Sequence, residues 1–391
     1  MVVPTLLFAQ EKETKQDIQQ KIENAAENAE SEETDFTILL EELQYYIQHP
    51  INLNYTDREE LLRLELLSDL QINNLLKHIE KNGKLMTIYE LQTIESFDLD
   101  VISKILPYVK VENNFDNPNV SMKEIFKYGK FQFVSRYQQV IEQQLGYYTA
   151  NNFGDSMKLE SPNSYYLGPQ FKLYERLNFV YTNKINFGIV AEKDPGEEFF
   201  KGSQKNGFDF YSAHLAIRDF GIIKRAVIGD YDLFYGQGLT LCTGLSFGKS
   251  PDVAAVRKFS TGIRPYTSLN ESSFKRGVAV SVGKRNWNAD AFYSNRKLDA
   301  NLSTIIDTTF EQQDIFTSFI ESGYHRTTSE LENKNTIREQ LYGVNAGYTS
   351  RNFSAGITTV HAGYDRPLQR SLQLYNRFDF GGKQFTKVGI D

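Results

Sequence analysis

Cysteine, tryptophan, methionine and proline are scarce in this sequence, and the scarcity limits what the protein can be. Its 391 residues include one cysteine, Cys242, one tryptophan, four methionines and ten prolines. A single cysteine excludes an intrachain disulfide and a cysteine-based zinc or iron–sulfur centre. No apolar run reaches the roughly 18 residues of a membrane-spanning helix, although the alternating strands of a transmembrane barrel would leave the hydropathy equally low.

Net positive charge is also lacking. Lysine and arginine number 43 against 50 aspartate and glutamate residues, which gives a formal net charge of −7. Nucleic-acid binding depends on neutralising phosphates, so this overall charge does not favour it. Aromatic residues are abundant instead, with 28 Phe and 23 Tyr, and this content is too high for a disordered chain.

Histidines at metal-ligand spacing are missing as well. The five histidines are His49, His78, His214, His325 and His361, and no two of them stand at the spacing of a known ligand pair. We therefore predict no metal site, and the sequence points to no cofactor.

The two ends of the chain carry signals of their own. Residues 1–10 are predicted to be a signal-peptide remnant, because a short apolar stretch ends at a small residue before a polar segment. The apolar terminus of a cytoplasmic protein is the alternative. Residues 11–34 are predicted to form a polar, acidic tether. Because Asp391 closes a strand-like run without a terminal aromatic residue, we expect the sequence to be a fragment of a longer protein.

Helical periodicity between residues 35 and 113 predicts a compact all-helical domain. An amphipathic helix is expected over 37–50, and Ile72, Leu75 and Ile79 recur at helical spacing. Three capping boxes predict helix starts, namely Thr56 with Glu59, Ser68 with Gln71, and Thr87 with Glu90.

After about Asn114 the pattern changes to a period of two, which is typical of strands with one buried face. Val278, Val280 and Val282 share one face, while glycine, alanine and serine occupy the other. Ten strands are predicted, at 130–140, 165–176, 184–193, 207–218, 222–235, 276–283, 287–296, 339–349, 352–361 and 383–391.

Loop lengths select between architectures. Short turns alternate with long connections at 141–164, 194–206, 236–275, 297–338 and 362–382. Long loops at one end and short turns at the other are the rule for outer-membrane barrels. We therefore predict an α+β protein: a small all-helical, helix-hairpin-helix-like domain over 35–113, followed by an antiparallel transmembrane β-barrel over 125–391 that further strands would complete. A soluble β-sandwich or jelly roll is the alternative.

Residues 51–109 resemble the double helix-hairpin-helix unit of competence proteins. The resemblance rests on Asn52-Leu53-Asn54, Asn82-Gly83, Tyr89-Glu90-Leu91 and Leu106-Pro107-Tyr108. A DNA-binding hairpin of this kind needs a Gly-hydrophobic-Gly turn that brings backbone N–H groups to a phosphate. Here the two turns are Leu66-Leu67-Ser68 and Ser96-Phe97-Asp98. Residues 51–110 also carry 7 basic and 10 acidic residues, a net charge of −3, so DNA binding is disfavoured and protein docking or a structural role is expected.

Nearly the whole chain is similar to long Bacteroidetes-type envelope proteins in which a helix-hairpin-helix segment precedes an outer-membrane barrel. The stretches that carry this resemblance include Ile88-Tyr89-Glu90-Leu91-Gln92, Gly229-Asp230-Tyr231, Gly236-Gln237-Gly238-Leu239 and Gly262-Ile263-Arg264-Pro265-Tyr266. The resemblance implies an outer-membrane location with the N-terminal domain in the periplasm, and it brings no activity with it.

The stretch 229–276 joins a glycine-rich segment to several basic residues. Glycines let backbone pack closely, and a loop of this length is usually functional. Our hypothesis is that it folds inward and constricts a lumen, with Arg257, Arg264 and Arg276 pairing with Asp209 or Asp230. An ordinary external loop is the alternative.

Two weaker signals have plainer interpretations. Ser212 and His214 lie two residues apart on a predicted strand and suggest a hydrolase, but no nucleophile elbow or orienting acid accompanies them, so polar lumen residues are favoured. Residues 194–198 are acidic but lack the ligand spacing of a calcium loop, and Pro195 with Gly196 favours a β-turn.

Together these observations predict a protein that is not an enzyme. We expect a passage or a structural subunit of an envelope assembly, which contacts outer-membrane lipid and a periplasmic or envelope protein. DNA uptake through the helical unit is one alternative, and an outer-membrane hydrolase is another.

Overall fold

A computed structural model describes most of the chain and divides it into two compact units. The described residues are 43, 46–47, 50–56, 58–62, 64, 66–112, 122–147, 165–181, 184–243, 260–306, 312–350, 353–370, 374 and 377–391. The predicted signal-peptide remnant, the acidic tether and most of the helix over 37–50 lie outside them. The first unit comprises Met1–Val120 with Leu245–Thr261, and the second comprises Ser121–Gly244 with Gly262–Asp391.

Short helices and one pair of strands make up the described part of the first unit. They are β1 (Ile51–Asn52), α1 (Arg58–Leu62), α2 (Asp69–Asn82), a 3₁₀ helix (Ile88–Thr93), α3 (Leu99–Ile105), a 3₁₀ turn (Leu106–Tyr108) and β2 (Val109–Lys110). β1 pairs with β2 in parallel and ties the two ends of the unit together. The hydrophobic core lies between the helices, with Leu61, Ile72, Leu75 and Leu91 fully buried.

Capping side chains set the helix ends of this unit, as the sequence predicts at two of three positions. The Gln71 N–H donates to Ser68 Oγ at 3.3 Å, and the Ser68 N–H donates to Gln71 Oε1 at 2.8 Å. Thr87 and Glu90 form the same reciprocal pair. At the third position Thr56 Oγ1 donates to Glu60 at 2.9 Å, and the side chain of the predicted partner, Glu59, lies outside the described residues.

The second unit is built on a sheet of thirteen strands with two short helices. The helices are α4 (Met122–Tyr128) and α5 (Thr328–Glu332). The strands are β3 (Lys130–Gln138), β4 (Lys172–Tyr181), β5 (Ile185–Lys193), β6 (Phe210–Phe220), β7 (Ile223–Phe234), β8 (Gly262–Pro265), β9 (Lys275–Lys284), β10 (Trp287–Leu298), β11 (Ala300–Ile306), β12 (Gln312–Phe319), β13 (Ile337–Thr349), β14 (Ser354–Leu368) and β15 (Gly382–Ile390).

The strand order is β11-β12-β14-β13-β10-β9-β7-β6-β5-β4-β3, with β15 added to β14 and β8 added to β7. Neighbours pair antiparallel, except that β12 meets β14 in parallel at the single bridge Phe316–Leu368. The sheet therefore forks at β14, where one part of the strand pairs with β15 and its end pairs with β12.

The predicted fold class is wrong. Of the described residues 48% are in strands and 18% in helices, and the sheet is mixed and does not close into a barrel. The sheet stays open because, among the described residues, β3, β11 and β15 each pair with a neighbouring strand on one side only. β11 and β12 form inside the predicted loop 297–338 and join the sheet beside β14. The first unit is not all-helical, because β1 and β2 pair within it. The seven described helices of the two units together are short. None of them has the length and apolarity to cross a membrane.

Each of the ten predicted strands overlaps an observed strand, but β1 and β2 of the first unit and three strands of the large sheet were missed. β8, β11 and β12 lie within predicted loops, where sequence alternation is weak. The predicted strand over 165–176 begins too early, because the chain before Lys172 pairs with loops instead. There the Leu167 N–H donates to the Arg326 carbonyl, and the Gly168 N–H donates to the Gly196 carbonyl.

The stability of the first unit is expected to depend on Asn54. This buried side chain accepts a bond from the Leu85 N–H at 2.7 Å and donates to the Leu85 carbonyl at 2.8 Å. Asn54→Ala leaves both backbone groups unpaired and should lower the free energy of unfolding by roughly 1–3 kcal/mol. Urea unfolding of the full chain, followed by its helical circular dichroism signal, measures the change.

Asn74→Ala is the matched control, since its bond to the Glu95 carbonyl is exposed to solvent. Equal losses in the two variants would show that the burial of Asn54 does not matter.

Candidate functional site

One face of the large sheet is apolar and exposed. We call it the apolar face and define it by Phe131, Phe133, Ile189, Leu215, Ile228, Val278, Tyr293, Tyr342, Val344, Ile357 and Val388, whose exposed fractions lie between 37% and 64%. Strand register brings these side chains side by side. Leu215 stands opposite Ile228, Ile228 opposite Val278, and Val278 opposite Tyr293. The result is a continuous apolar surface across the antiparallel strands.

The opposite side, which we call the covered face, carries buried polar side chains. They are Ser212, His214, Asp290, Ser294, Asn345 and Thr358. Some pair across strands, as Asn345 does by donating from Nδ2 to Thr358 Oγ1 at 2.8 Å. Small and apolar residues such as Ala279, Phe292 and Val360 lie between them. Polar groups are thus inside and apolar groups outside, the reverse of a sheet packed for water.

The chain after β7 folds back over the covered face. The Tyr235 N–H donates to the Leu241 carbonyl, which closes a short hairpin. Tyr235 stacks on Phe292 with ring centroids 5.9 Å apart. Close packing against β15 leaves no room for a Cβ atom at Gly389, because Thr240 Oγ1 occupies that space. This hairpin and the sheet line a half-open cavity of about 270 Å³.

A buried ion pair lines that cavity. Lys275 Nζ donates to the two carboxylate oxygens of Glu339 at 2.6 and 3.0 Å, and Arg296 Nε lies 3.7 Å from Glu339. Arg296 and Glu339 are directly opposite in the register of β10 and β13. A buried carboxylate between two cations holds three strands together at this level.

A second charged group, which we call the loop-end cluster, lies where four loops meet. It consists of Glu197, Asp209, Glu271, Asp299, His325 and Lys334. The ring of His325 contacts Asp209 through Nδ1 at 2.6 Å and Asp299 through Nε2 at 2.9 Å. Lys334 donates to Asp209 at 2.6 Å, and the His325 N–H donates to Glu197 at 3.0 Å.

Electrostatics favour a protonated imidazole at this place. Burial lowers the pKa of His325, but its hydrogen bonds to Asp209 and Asp299 outweigh burial and raise the pKa to about 10. Burial and repulsion from Asp209 raise the pKa of Glu197 to about 8. Burial also acts to raise the pKa of Asp209, yet the attraction of His325 and Lys334 keeps it below its usual value.

The arrangement of these groups also bears on metal binding. Ligand atoms of Glu197, Asp209 and His325 lie within 4.8 Å of one another. Sequence spacing did not reveal this set because His325 comes from a different loop than the two acids. A metal ligand must offer an unprotonated ring nitrogen, whereas both ring nitrogens of His325 face carboxylates. The chemistry of the group is therefore that of an ion network that joins loops.

The predicted constriction residues lie in three places. Arg276 donates to Asp230 from Nε at 2.6 Å and from Nη2 at 2.8 Å, and the two are opposite in β9 and β7. Arg264 lies 3.8 Å from Asp232 instead of Asp230. Asp209 belongs to the loop-end cluster, and Arg257 lies outside the described residues. The constriction itself remains a prediction.

The suggested hydrolytic pair lacks catalytic geometry. Ser212 Oγ is buried and finds no hydrogen-bond partner among the described residues, and His214 Nε2 contacts Asn186 Oδ1 at 3.1 Å. In the acidic segment 194–198, the Asp194 N–H donates to the Glu197 carboxylate at 2.8 Å, and the Glu197 N–H bonds back to the Asp194 carbonyl, as in a turn.

The two hairpin turns of the first unit serve helix capping and packing. Ser68 caps α2, and Asp98 caps α3 by accepting a bond from the Val101 N–H at 2.8 Å. Leu67 and Phe97 are buried in the core, and Leu66 packs against it. Ser96 takes a left-handed φ of 70° at the second turn, a conformation that favours glycine.

Comparisons with protein-family models, with curated proteins and with solved structures each returned no match. Function must therefore be argued from the geometry above.

The loop-end cluster predicts a pH-dependent stability. Because the folded-state pKa of His325 lies above the usual 6.5, its stabilising contribution is fully present below pH 6.5 and is lost as the pH rises through about 10. His325→Gln should lower the free energy of unfolding by roughly 3–5 kcal/mol at neutral pH, as when one partner of a buried ion pair is removed. Urea unfolding of both proteins at a series of pH values measures this.

His361→Gln is the control, since His361 bonds to Thr386 at the surface. A gap between wild type and His325→Gln that stays constant up to strongly alkaline pH would contradict the ion-pair assignment.

Proposed function

We propose that the large sheet is a structural subunit of a cell-envelope assembly and is held at the outer membrane by its apolar face. One observation carries this proposal: large apolar side chains are exposed on one face while polar side chains are buried on the other. Antiparallel sheets of water-soluble proteins face water with their polar side. A contiguous exposed apolar surface marks a membrane or protein contact.

Lipid is the favoured partner because the face is regular and its backbone is already paired. Within the sheet the ladders from β4 to β13 satisfy main-chain N–H and C=O groups on both sides of each strand. Hydrocarbon offers no hydrogen bonds, so only backbone that is paired in this way tolerates it.

The open edges of the sheet favour a subunit over a free-standing passage. Among the described residues, the edge strands β3, β11 and β15 present unpaired backbone groups, and each such group would cost several kcal/mol in hydrocarbon. A neighbouring polypeptide at these edges removes that cost. A passage would need a continuous wall, which the described strands do not form, so we do not propose one.

The first unit is proposed to dock an envelope protein on the periplasmic side. Met86, Tyr89 and Leu99 leave more than two thirds of their area exposed, which is unusual for large apolar side chains. The side chains of its two hairpin turns cap helices or pack in the core, and neither turn contains a Gly-hydrophobic-Gly segment. Among the residues that the structure describes, no geometric feature favours DNA uptake or hydrolysis over this role.

A charge placed on the apolar face should abolish membrane association. Val344, 55% exposed at the middle of this face, is the site for Val344→Lys. Lysine at the middle of a lipid-facing strand costs about 2–4 kcal/mol, so the variant should shift from floating vesicles to the aqueous fraction. Flotation of the refolded full chain with phosphatidylcholine vesicles on a density gradient measures the partition.

Met86→Lys is the matched control, an equally apolar side chain, 73% exposed, in the first unit, and it should float like wild type. A wild-type chain that stays monodisperse in the aqueous fraction would refute the proposal.

A further inference from the structure

The apolar face has sharp limits along the strands. Residues that stand opposite one another on neighbouring strands form rows across the sheet. Three successive outward-facing rows are mainly apolar. On β13 and its neighbours they contain Ala346 with Ile357, Val344 with Val280 and Ala291, and Tyr342 with Tyr293. The next row towards the long loops consists of Asp230, Arg276, Asn295, Gln340 and Gln384. A line of charged and amide side chains therefore runs across β7, β9, β10 and β13 immediately beyond the apolar rows. On β6, β5, β4 and β3 the same row continues with Ala213, Ile189, Leu177 and Phe133, which are apolar.

The opposite limit carries the lone tryptophan. Trp287 stands at the tight turn between β9 and β10, opposite Lys284 on one side and Tyr348 on the other. Its side chain is 65% exposed, and its ring centroid lies 4.9 Å from that of Tyr348. An exposed Trp–Tyr pair next to a lysine is typical of the boundary between lipid headgroups and hydrocarbon.

The distance between the two limits fits a bilayer. The strand from Trp287 to Asn295 is about 9 residues long, which lies within the roughly 9–11 residues that a tilted strand needs to cross the hydrocarbon core. On β14 and β15 the polar limit comes one row earlier, where His361 bonds to Thr386 at 2.9 Å. Pairing these two polar side chains lowers the cost of placing them near lipid.

Building on the function proposed above, we infer that from β7 to β13 the sheet is immersed in lipid only between the Trp287–Tyr348 pair and the row Asp230–Arg276–Asn295–Gln340. The ends of β10, β13 and β14 beyond this polar row, together with the loop-end cluster, lie in the aqueous compartment beyond the membrane. The Arg276–Asp230 pair then sits at the headgroup level, where its exposed guanidinium meets lipid phosphate or water.

The single tryptophan makes this depth measurable in the full chain. Fluorescence of wild type in phosphatidylcholine vesicles is quenched by lipids brominated either near the headgroup or deep in the acyl chain. Trp287 should be quenched more by the shallow bromines. In a Trp287→Phe background, which keeps an aromatic ring beside Tyr348, Val344→Trp should be quenched more by the deep bromines, and Gln340→Trp again by the shallow ones.

Other outcomes separate the inference from the function on which it rests. Equal quenching depth at positions 287 and 344, or deepest quenching at 340, would overturn the limits while leaving membrane contact intact. Absence of quenching at all three positions, in protein that does not float with vesicles, would overturn the proposed function itself.

Discussion

The register of the antiparallel ladder is the constraint on which the rest of the structure depends. Side chains alternate across a strand, so a slip of one residue would exchange the two faces completely. In β10, β13 and β14 the register keeps Tyr293, Tyr342 and Val344 outside while Ser294, Leu341 and Asn345 point inward. The apolar face, the covered face and the limits of the lipid-facing rows all follow from this alignment.

Burial of polar groups on the covered face has a cost that the structure offsets locally. Lys275 and Arg296 flank Glu339, and Asn345 pairs with Thr358, so charge and amide groups find partners within the sheet. The hairpin after β7 adds apolar cover through Tyr235 and Leu241. Buried polar groups of this kind destabilise the fold unless they are completely paired. Once paired, they resist repacking, because removing one partner leaves the other buried without a partner.

The loops at one end of the sheet are held together by charge more than by apolar packing. His325 joins Asp209 to Asp299, and Lys334 adds a second cation to the first carboxylate. These residues lie far apart in sequence, and none stands at a spacing that would suggest a site. Only the folded topology, which brings the β5–β6, β10–β11 and β12–β13 loops to one end, makes them neighbours.

The sequence by itself determined the local features: the capping pairs at Ser68 and Thr87, the ten alternating strands, and which residues share a face, as with Val278, Val280 and Val282. These depend on contacts within a few residues, whose period is visible in the chain. Tertiary structure alone decided how the sheet ends, because the pairing of β12 with β14 at Phe316 and Leu368 joins segments whose loop-like sequences carry no alternation. It also decided which charges meet, since ion pairs such as Lys275–Glu339 form between strands whose register no local pattern encodes.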